Sequence, residues 1–452
     1  MRRNTLKILL AIGDYLVMFV SLVAVLYVRY RGYPGLRIDQ HIGPFAIVFA
    51  VWVLVFYILE LYDINAPFNH RNFLYAMLTN VAVAGLGFYL LADFVDISPR
   101  RNLALVAAMF VVLFYLWRFV FNRLVDTVGW YRNVAVIGSD EHSLALVSRI
   151  EMERRQGFRV AVIVSEEDHP VPQWVIDRGI AVVPTVAELK ELVRDRHIHT
   201  VIISDEWYYS IYNELYDLIP HRLYFFQLTN FWERFEESIP IYATREIWFL
   251  ENLNRGPHKG YHLVKRAMDI LTVLLFLPVF LPLGLLTAIA VRVSSPGPVI
   301  FSQTRVGRNE TPFTLYKFRS MRTDAEKHGA QWATENDPRV TPVGRFIRAT
   351  RLDEIPQVMN VLRGEMSFIG PRPERPEFVS TLSKTIPHYH LRHLVKPGLT
   401  GWAQVKYRYG ASGEDAATKL TYDLYYVKNV SLVLDIKIVL KTIMTVVGRR
   451  GR

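Results

Sequence analysis

Apolar residues gather into four runs near the start of the chain, at about Leu6 to Val28, Gly43 to Leu61, Phe73 to Phe94 and Asn102 to Phe121. Each is roughly 20 residues long, enough for an α-helix to cross the hydrocarbon core of a bilayer. The first run contains Asp14 and is too long and too polar for a cleaved signal peptide. A carboxylate is costly in lipid, so Asp14 is expected either to face a partner helix or to serve a function there. Arg2, Arg3, Lys7, Arg71, Arg118, Arg123 and Arg132 fall on one side of these spans, and Arg29, Arg31, Arg37, Arg100 and Arg101 on the other. That small bias places the N-terminus in the cytoplasm. Residues 1–125 thus read as a four-helix transmembrane bundle.

After Trp130 the pattern changes. Short buried-strand runs at Asn133–Ile137, Arg159–Val164, Ala181–Val183 and Thr200–Ser204 alternate with helical patterns such as Val186–Asp195, which predicts a Rossmann-like α/β domain over residues 130–250. Its first strand ends in Gly138-Ser139-Asp140 without the full glycine fingerprint, so dinucleotide binding is weakly supported. A fifth apolar run, Met268 to Val293, is interrupted by Pro278 and Pro282 and flanked by Lys265, Arg266 and Arg292. Prolines that break a helix, with like charge at both ends, suit a re-entrant membrane helix over residues 260–294, with a straight fifth span as the alternative. A mixed α/β catalytic domain is assigned to residues 295–452. Its tail, Ser431 to Val447 followed by Arg449, Arg450 and Arg452, resembles an interfacial helix with a basic end, or else a buried core helix.

Composition narrows the classes. With 452 residues the chain needs several cores, and a hydrophobic fraction of 51% fits an α/β membrane protein. A net charge of +11 fits nucleic acid, anionic lipid or phosphorylated ligands, and the apolar runs favour lipid over nucleic acid. No cysteine occurs, which removes disulfides, thiolate zinc sites and cysteine nucleophiles.

The candidate chemistry lies in Arg351-Leu352-Asp353-Glu354-Ile355-Pro356-Gln357. Proline is tolerated in the first turn of a helix, and the apolar positions Val358, Met359, Val361 and Leu362 continue that helix to Gly364. Asp353 and Glu354 are therefore expected at a helix N-terminus, where free N–H groups keep carboxylates ionised and favour phosphate or a metal-phosphate pair. An N-cap Asp followed by a first-turn Glu remains open on this motif alone. Around it lie Ser295-Pro296-Gly297-Pro298, Gln303-Thr304-Arg305-Val306-Gly307, Lys317-Phe318-Arg319-Ser320-Met321 and Gly370-Pro371-Arg372-Pro373. Val299–Gln303 and Phe313–Phe318 flank a Gly307-Arg308-Asn309 turn and predict a β-hairpin that carries Lys317 and Arg319. Such cations can neutralise a diphosphate. His388, His390 and His393 form an H-x-H-x-x-H pattern without an evident fourth zinc ligand. Tyr261 and Lys265 imitate a dehydrogenase pair but precede an apolar run, where both residue types anchor interfaces.

The order of these motifs strongly resembles the bacterial sugar transferase family, the polyprenyl-phosphate sugar-1-phosphate transferases of the large monotopic type. Lys265-Arg266 with Asp269, the Asn360-to-Ser367 segment, Lys396-Pro397-Gly398-Leu399-Thr400-Gly401 and Tyr422-Asp423-Leu424-Tyr425-Tyr426 complete the series. Arg351 departs from the small residue common before Leu-Asp-Glu, and the proline pair departs from the usual Ser-Pro. The resemblance implies transfer of a sugar 1-phosphate from a UDP-sugar, glucose or galactose foremost, to undecaprenyl phosphate in the bacterial inner membrane, with the catalytic domain cytoplasmic. It implies Asp353 as nucleophile, Glu354 with Asp353 as magnesium ligands, and Lys317, Arg319 and Arg348 as charge stabilisers. It also implies that Arg372, Pro371, Pro373, Arg305 and Gln357 meet the nucleotide, that Lys265 and Arg266 hold the lipid phosphate, and that a homodimer forms through the middle domain. Rival readings are a membrane-anchored NAD-dependent nucleotide-sugar dehydratase or epimerase, and a non-catalytic assembly scaffold.

Overall fold

The computed structural model describes residues 2–30, 35–58, 61–62, 100–128, 132–152, 157–165, 170–208, 211–253, 259–325, 327, 337–407 and 412–447. The predicted span Phe73 to Phe94 lies outside the described residues. Two compact units, Met1–Leu228 and Thr229–Arg452, are described separately.

In the first unit, helices α1 (Arg2–Arg29), α2 (Gly35–Ile58) and α3 (Arg100–Val128) pack through an aromatic core that includes Phe45, Phe49, Trp52, Phe110 and Phe114. Their outer faces are apolar as well: Leu16, Val20, Ile47, Leu54, Val112 and Leu116 are exposed. A helix apolar on all sides belongs in lipid rather than water. Asp14 pairs with Arg118 across α1 and α3 at 2.6 Å, and Arg118 also donates to the Leu61 carbonyl at 2.7 Å. The carboxylate that sequence reasoning placed against a partner helix is thus neutralised inside the bundle.

The same unit contains a five-stranded sheet of β1 (Arg132–Ile137), β2 (Phe158–Val164), β3 (Ala181–Val183), β4 (Ile198–Ile203) and β5 (Tyr224–Gln227), all parallel in the order 3-2-1-4-5. Among its helices, α4 (Glu141–Met152) follows β1 and α5 (Val186–Asp195) follows β3. Strand β5 carries no period-two signal and was not expected. Gly138 adopts φ +114°, and a Cβ there would lie 2.6 Å from the Ser204 Cβ. The N–H groups of His142 and Ser143, which a pyrophosphate would need, donate instead to the Asp140 carboxylate at 3.0 Å.

The second unit is organised around α6 (Lys259–Ser294), which runs helically through Pro278 and Pro282 rather than breaking there. Neither proline has a backbone N–H to donate, and residues 274–283 around them are almost all exposed, so the helix continues there on its remaining backbone hydrogen bonds. Val273 shares a core with Phe313, Leu315, Val361 and Met366, and Val291 shares one with Phe318 and Ile347. The opposite face exposes Leu271, Leu275, Leu281, Leu285 and Val293. Strands β6 (Ile300–Val306) and β7 (Pro312–Phe318) form the predicted hairpin, longer than expected in its first strand, with Ile300 opposite Phe318. Then come α7 (Pro342–Ala349), capped by the Thr341 hydroxyl, and α8 (Val358–Arg363), which ends at Gly364 with φ +79°. Strands β8 (Ser367–Ile369) and β9 (Gly398–Thr400) pair in parallel, followed by α9 (Gly413–Lys428) and α10 (Leu432–Val447). The fold is a mixed α/β membrane protein, mostly helical.

Candidate active site

The two adjacent carboxylates sit in a 3-10 turn, Leu352–Gln357, between α7 and α8. An α-helix was expected to begin near Pro356, but Arg351 takes a left-handed φ of 61° and the chain winds tightly until Val358 opens α8. The Glu354 N–H is consumed by the Arg351 carbonyl at 3.1 Å, so the turn offers fewer free donors than an α-helical start.

Three cations converge on one oxygen. Glu354 Oε1 lies 2.9 Å from Arg372 Nη2, 3.4 Å from Arg351 Nη1 and 3.6 Å from Lys317 Nζ. Although burial opposes it, the charges of Arg372, Lys317 and Arg351 hold the Glu354 carboxyl well below the usual carboxylate range. Asp353 goes the other way. Burial and the neighbouring Glu354 charge raise its pKa, partly offset by Lys317, Arg372 and Arg348. Its Oδ1 is buried without a hydrogen-bond partner. The expectation that a helix start would favour ionisation of both carboxylates is matched in direction at Glu354 and opposed at Asp353, where burial and the Glu354 charge act the other way. Lys317 is itself pushed down to about 8, by burial above all, with Glu354 opposing and Arg372 adding to the depression.

The frame around this cluster comes from the hairpin and α8. The Asn360 side chain donates to the Thr314 carbonyl at 2.6 Å and accepts from Tyr316 N–H at 3.2 Å, which fastens α8 to β7 and fixes Lys317 beside the carboxylates. Arg348 Nε donates to Ser320 Oγ at 2.8 Å. Gln357, four residues after Asp353, is buried with its Nε2 unpartnered. The Arg372 carbonyl accepts from Arg392 Nη2 at 3.0 Å, and Arg392 is anchored in turn by Asp423 at 2.7 Å. Arg305 reaches the Pro373 carbonyl at 3.1 Å and Glu374 at 3.6 Å.

Three predicted ligand cations have other work. Arg319 donates to the Ser295 and Pro296 carbonyls at 2.7 and 2.9 Å and to Ser295 Oγ at 2.9 Å, binding the hairpin to the Ser-Pro-Gly-Pro loop. Gly297 adopts φ +119° there, and a Cβ would lie 2.1 Å from Arg319 Nη1. Lys265 Nζ meets Asp435 at 2.8 Å and the Tyr426 hydroxyl at 2.9 Å, joined by Tyr261, whose hydroxyl donates to Asp435 at 2.7 Å. Arg266 donates to the Val361 and Leu362 carbonyls at the end of α8. In these places the guanidinium and ammonium groups satisfy backbone and buried acids rather than face a phosphate. Sequence reasoning left out Arg392, Asp423 and Asn360 as positioning groups. It noted Arg351 only as a departure from pattern, and that departure was the available signal.

The donor set fits a hard cation. Two adjacent carboxylates and no thiolate in the chain suit magnesium, and the unpartnered Asp353 oxygen is the natural ligand. Among the described residues no group of three His, Asp or Glu side chains forms a metal cluster, so such an ion would complete its shell with water and phosphate oxygens.

The model of the bacterial sugar transferase family matches residues 260–449, and that of a CoA-binding domain matches residues 46–207. A UDP-N-acetylgalactosamine-undecaprenyl-phosphate N-acetylgalactosaminephosphotransferase of Aeromonas hydrophila is 44% identical over 52% of this chain and 60% of its own length. A UDP-glucose:undecaprenyl-phosphate glucose-1-phosphate transferase of Escherichia coli is 36% identical over 70% of this chain and 69% of its own. An exopolysaccharide production protein of Rhizobium leguminosarum is 41% identical over 41% of this chain and 96% of its own.

Proposed function

The chain belongs to the bacterial sugar transferase family, and from that premise we propose that it moves a sugar 1-phosphate from a UDP-sugar to undecaprenyl phosphate, releasing UMP. The observation that carries this reading is the buried Asp353 carboxylate, one oxygen bare of hydrogen bonds, set against Lys317 and Arg372. An unsolvated carboxylate is a stronger nucleophile than one surrounded by water, and adjacent cations accept the negative charge that develops on the phosphoryl oxygens. In the first step an Asp353 oxygen bonds to the sugar-proximal phosphorus, the bond to the bridging oxygen breaks, and UMP leaves with its electron pair. In the second, an oxygen of the lipid phosphate attacks the same phosphorus, the acyl-phosphate bond breaks, and Asp353 returns as a carboxylate. A magnesium ion held by Asp353 and Glu354 would screen the repulsion between the approaching anions.

In this reading Lys317 and Arg348 stabilise the diphosphate, Arg372 holds the nucleotide phosphate while Pro371 and Pro373 keep its backbone extended, and Arg305 and Gln357 complete the nucleotide contacts. Arg351 is an added charge at the same oxygen of Glu354. The membrane architecture follows the same logic: the N-terminal spans anchor the chain in the inner membrane, α6 enters and leaves by the cytoplasmic face, and the water-soluble donor meets the lipid acceptor there. Glucose, galactose and N-acetylgalactosamine are the donor sugars to test, since the relatives named above use glucose or N-acetylgalactosamine. The product would be the first lipid-linked sugar of an exopolysaccharide, capsule or O-antigen.

The test is a panel of radiolabelled UDP-sugars incubated with undecaprenyl phosphate, magnesium and the membrane-embedded protein. UMP and a labelled lipid are expected from at least one donor, and Asp353→Asn should abolish both. Undiminished UMP release by that variant would remove Asp353 from the mechanism.

A further inference from the structure

Lys396 lies in the Lys-Pro-Gly segment that leads into β9, half-buried, and among the described residues neither an acid nor a carbonyl accepts from its ammonium. Its neighbours differ. Lys265 is answered by Asp435 at 2.8 Å, and the Arg266 guanidinium is spent on the Val361 and Leu362 carbonyls at the end of α8. The usual task of a cation at a helix C-terminus is therefore already filled, and Lys396 takes no part in it.

The cations converge where no side chain intervenes. Gly364 takes φ +79°, and a Cβ there would lie 3.5 Å from Lys396 Nζ and 3.8 Å from Arg266 Nη2. Arg308 is exposed at the hairpin tip. Burial, then the Arg266 charge, push the Lys396 ammonium below its ordinary value, with Asp269 opposing and Arg308 reinforcing. Asp269 is the single acid in that balance, and its Oδ1 already accepts from Ser367 Oγ at 2.9 Å and from the Phe368 N–H at 3.1 Å. Apolar surface flanks the same spot. Leu263, one turn before Arg266 on α6, is 74% exposed, and Leu394, which the extended Val395 sets on the same side of the chain as Lys396, is 41% exposed. A ligand that suits both features is anionic at one end and apolar at the other.

We propose that Lys396 and Arg308 hold the phosphodiester of an anionic phospholipid at the N-terminal end of α6, with Arg266 lending charge and Leu263 and Leu394 meeting the acyl chains. Basic pockets beside membrane helices take lipid headgroups in this way. The reacting lipid is a different molecule. Arg266 meets α8 at Leu362, nine residues past Asp353, and at 1.5 Å per residue at least ~13 Å of turn and helix separates the two. A phosphate at Lys396 is thus too distant to attack a phosphorus on Asp353. The bound phospholipid instead fixes the height of α6 at the interface, and with it the carboxylate turn, whose Ile355 packs beside Gly284 of α6.

Native mass spectrometry of the full chain, released from micelles that contain equal amounts of phosphatidylglycerol and phosphatidylcholine, tests this. One phosphatidylglycerol should stay on the unaltered protein at least ~5-fold more often than phosphatidylcholine, about the factor that one cation is worth at an anionic lipid surface. Lys396→Gln should cut that occupancy about 5-fold, and Lys396→Arg should keep it. Undecaprenyl phosphate in equal amount, or added inorganic phosphate, should leave the phosphatidylglycerol in place. The proposal fails if the two phospholipids are retained alike or if Lys396→Gln keeps its phosphatidylglycerol. It fails equally if undecaprenyl phosphate or inorganic phosphate displaces the lipid, which would assign the site to the acceptor or to a free anion. The lipid preference is read on the unaltered protein, so a variant that does not fold leaves a decisive measurement in place. No turnover is read, so the outcome stands apart from the proposed sugar-phosphate transfer.

Discussion

At the scale of single residues, opposed pKa shifts divide the labour of the cluster. Lys317, held at about 8, must be charged to stabilise a diphosphate, so kcat/KM should fall on the alkaline side with an apparent pKa near that value. Glu354 opposes the depression of Lys317, so Glu354→Gln should move the alkaline limb to lower pH as well as cut the rate by about 100-fold, both visible in a pH–rate profile. An unmoved limb would mean that another group titrates there. Asp353 supplies a second prediction. Its folded pKa is raised, so the folded state favours its proton; the group's contribution is favourable below its unfolded pKa and is lost, becoming a cost, as pH rises through the folded value. Above the folded value the charged carboxyl costs stability, so Asp353→Asn should raise the thermal midpoint, and by more as pH rises. A lower midpoint in scanning calorimetry would show that the carboxylate contributes to stability instead. The sequence made Asp353, Glu354, Lys317 and Arg372 legible, since charged residues beside Pro and Gly mark a built site. It could not show which cations are consumed by carbonyls, because that depends on chain segments brought together from far apart.

At the scale of elements, period and turn chemistry located strands β1 to β4, the hairpin and α5 within a few residues. Two departures lay outside the local pattern: Arg351 in a left-handed conformation turns the start of the Asp-Glu helix into a 3-10 turn, and α6 stays helical through two prolines in a largely exposed stretch. Arg266 illustrates the consequence. As a lipid-phosphate ligand it would alter acceptor affinity, but its guanidinium caps the last carbonyls of α8, the helix that follows the carboxylates. Arg266→Ala is thus expected to lower stability by about 2 kcal/mol, in line with hydrogen bonds from a charged donor, while the KM for undecaprenyl phosphate stays within about twofold. Thermal melting and acceptor titration of the same preparation check both halves. A large rise in KM at unchanged stability would restore the lipid role.

At the scale of the whole molecule, the path of α6 decides on which side of the membrane the chemistry occurs. Toward one end Arg266 meets α8 and Val273 joins the core of Phe313 and Leu315, and toward the other Val291 shares a core with Phe318 and Ile347, so one folded unit holds both ends of the helix while its middle is exposed. Arg266 and Val291 are 25 residue steps apart along it. At 1.5 Å per residue it exceeds ~30 Å, about the thickness of a hydrocarbon core. A helix crossing that core would have to draw the packed hairpin, with Lys317 and Arg305 on it, into lipid, at a cost of several kcal/mol for each unsatisfied backbone group or charge. The exposed apolar face, Leu271 to Val293, is instead buried if the helix dips into one leaflet with the folded unit resting above it. The absence of cysteine makes this measurable without background. Gly260→Cys, in the first turn of α6, and Ser302→Cys, on β6 beyond its end, should both react with a membrane-impermeant maleimide in inverted vesicles and neither in intact spheroplasts. A helix that spans would label the two from opposite faces, and would separate Asp353 from a donor made in the cytoplasm.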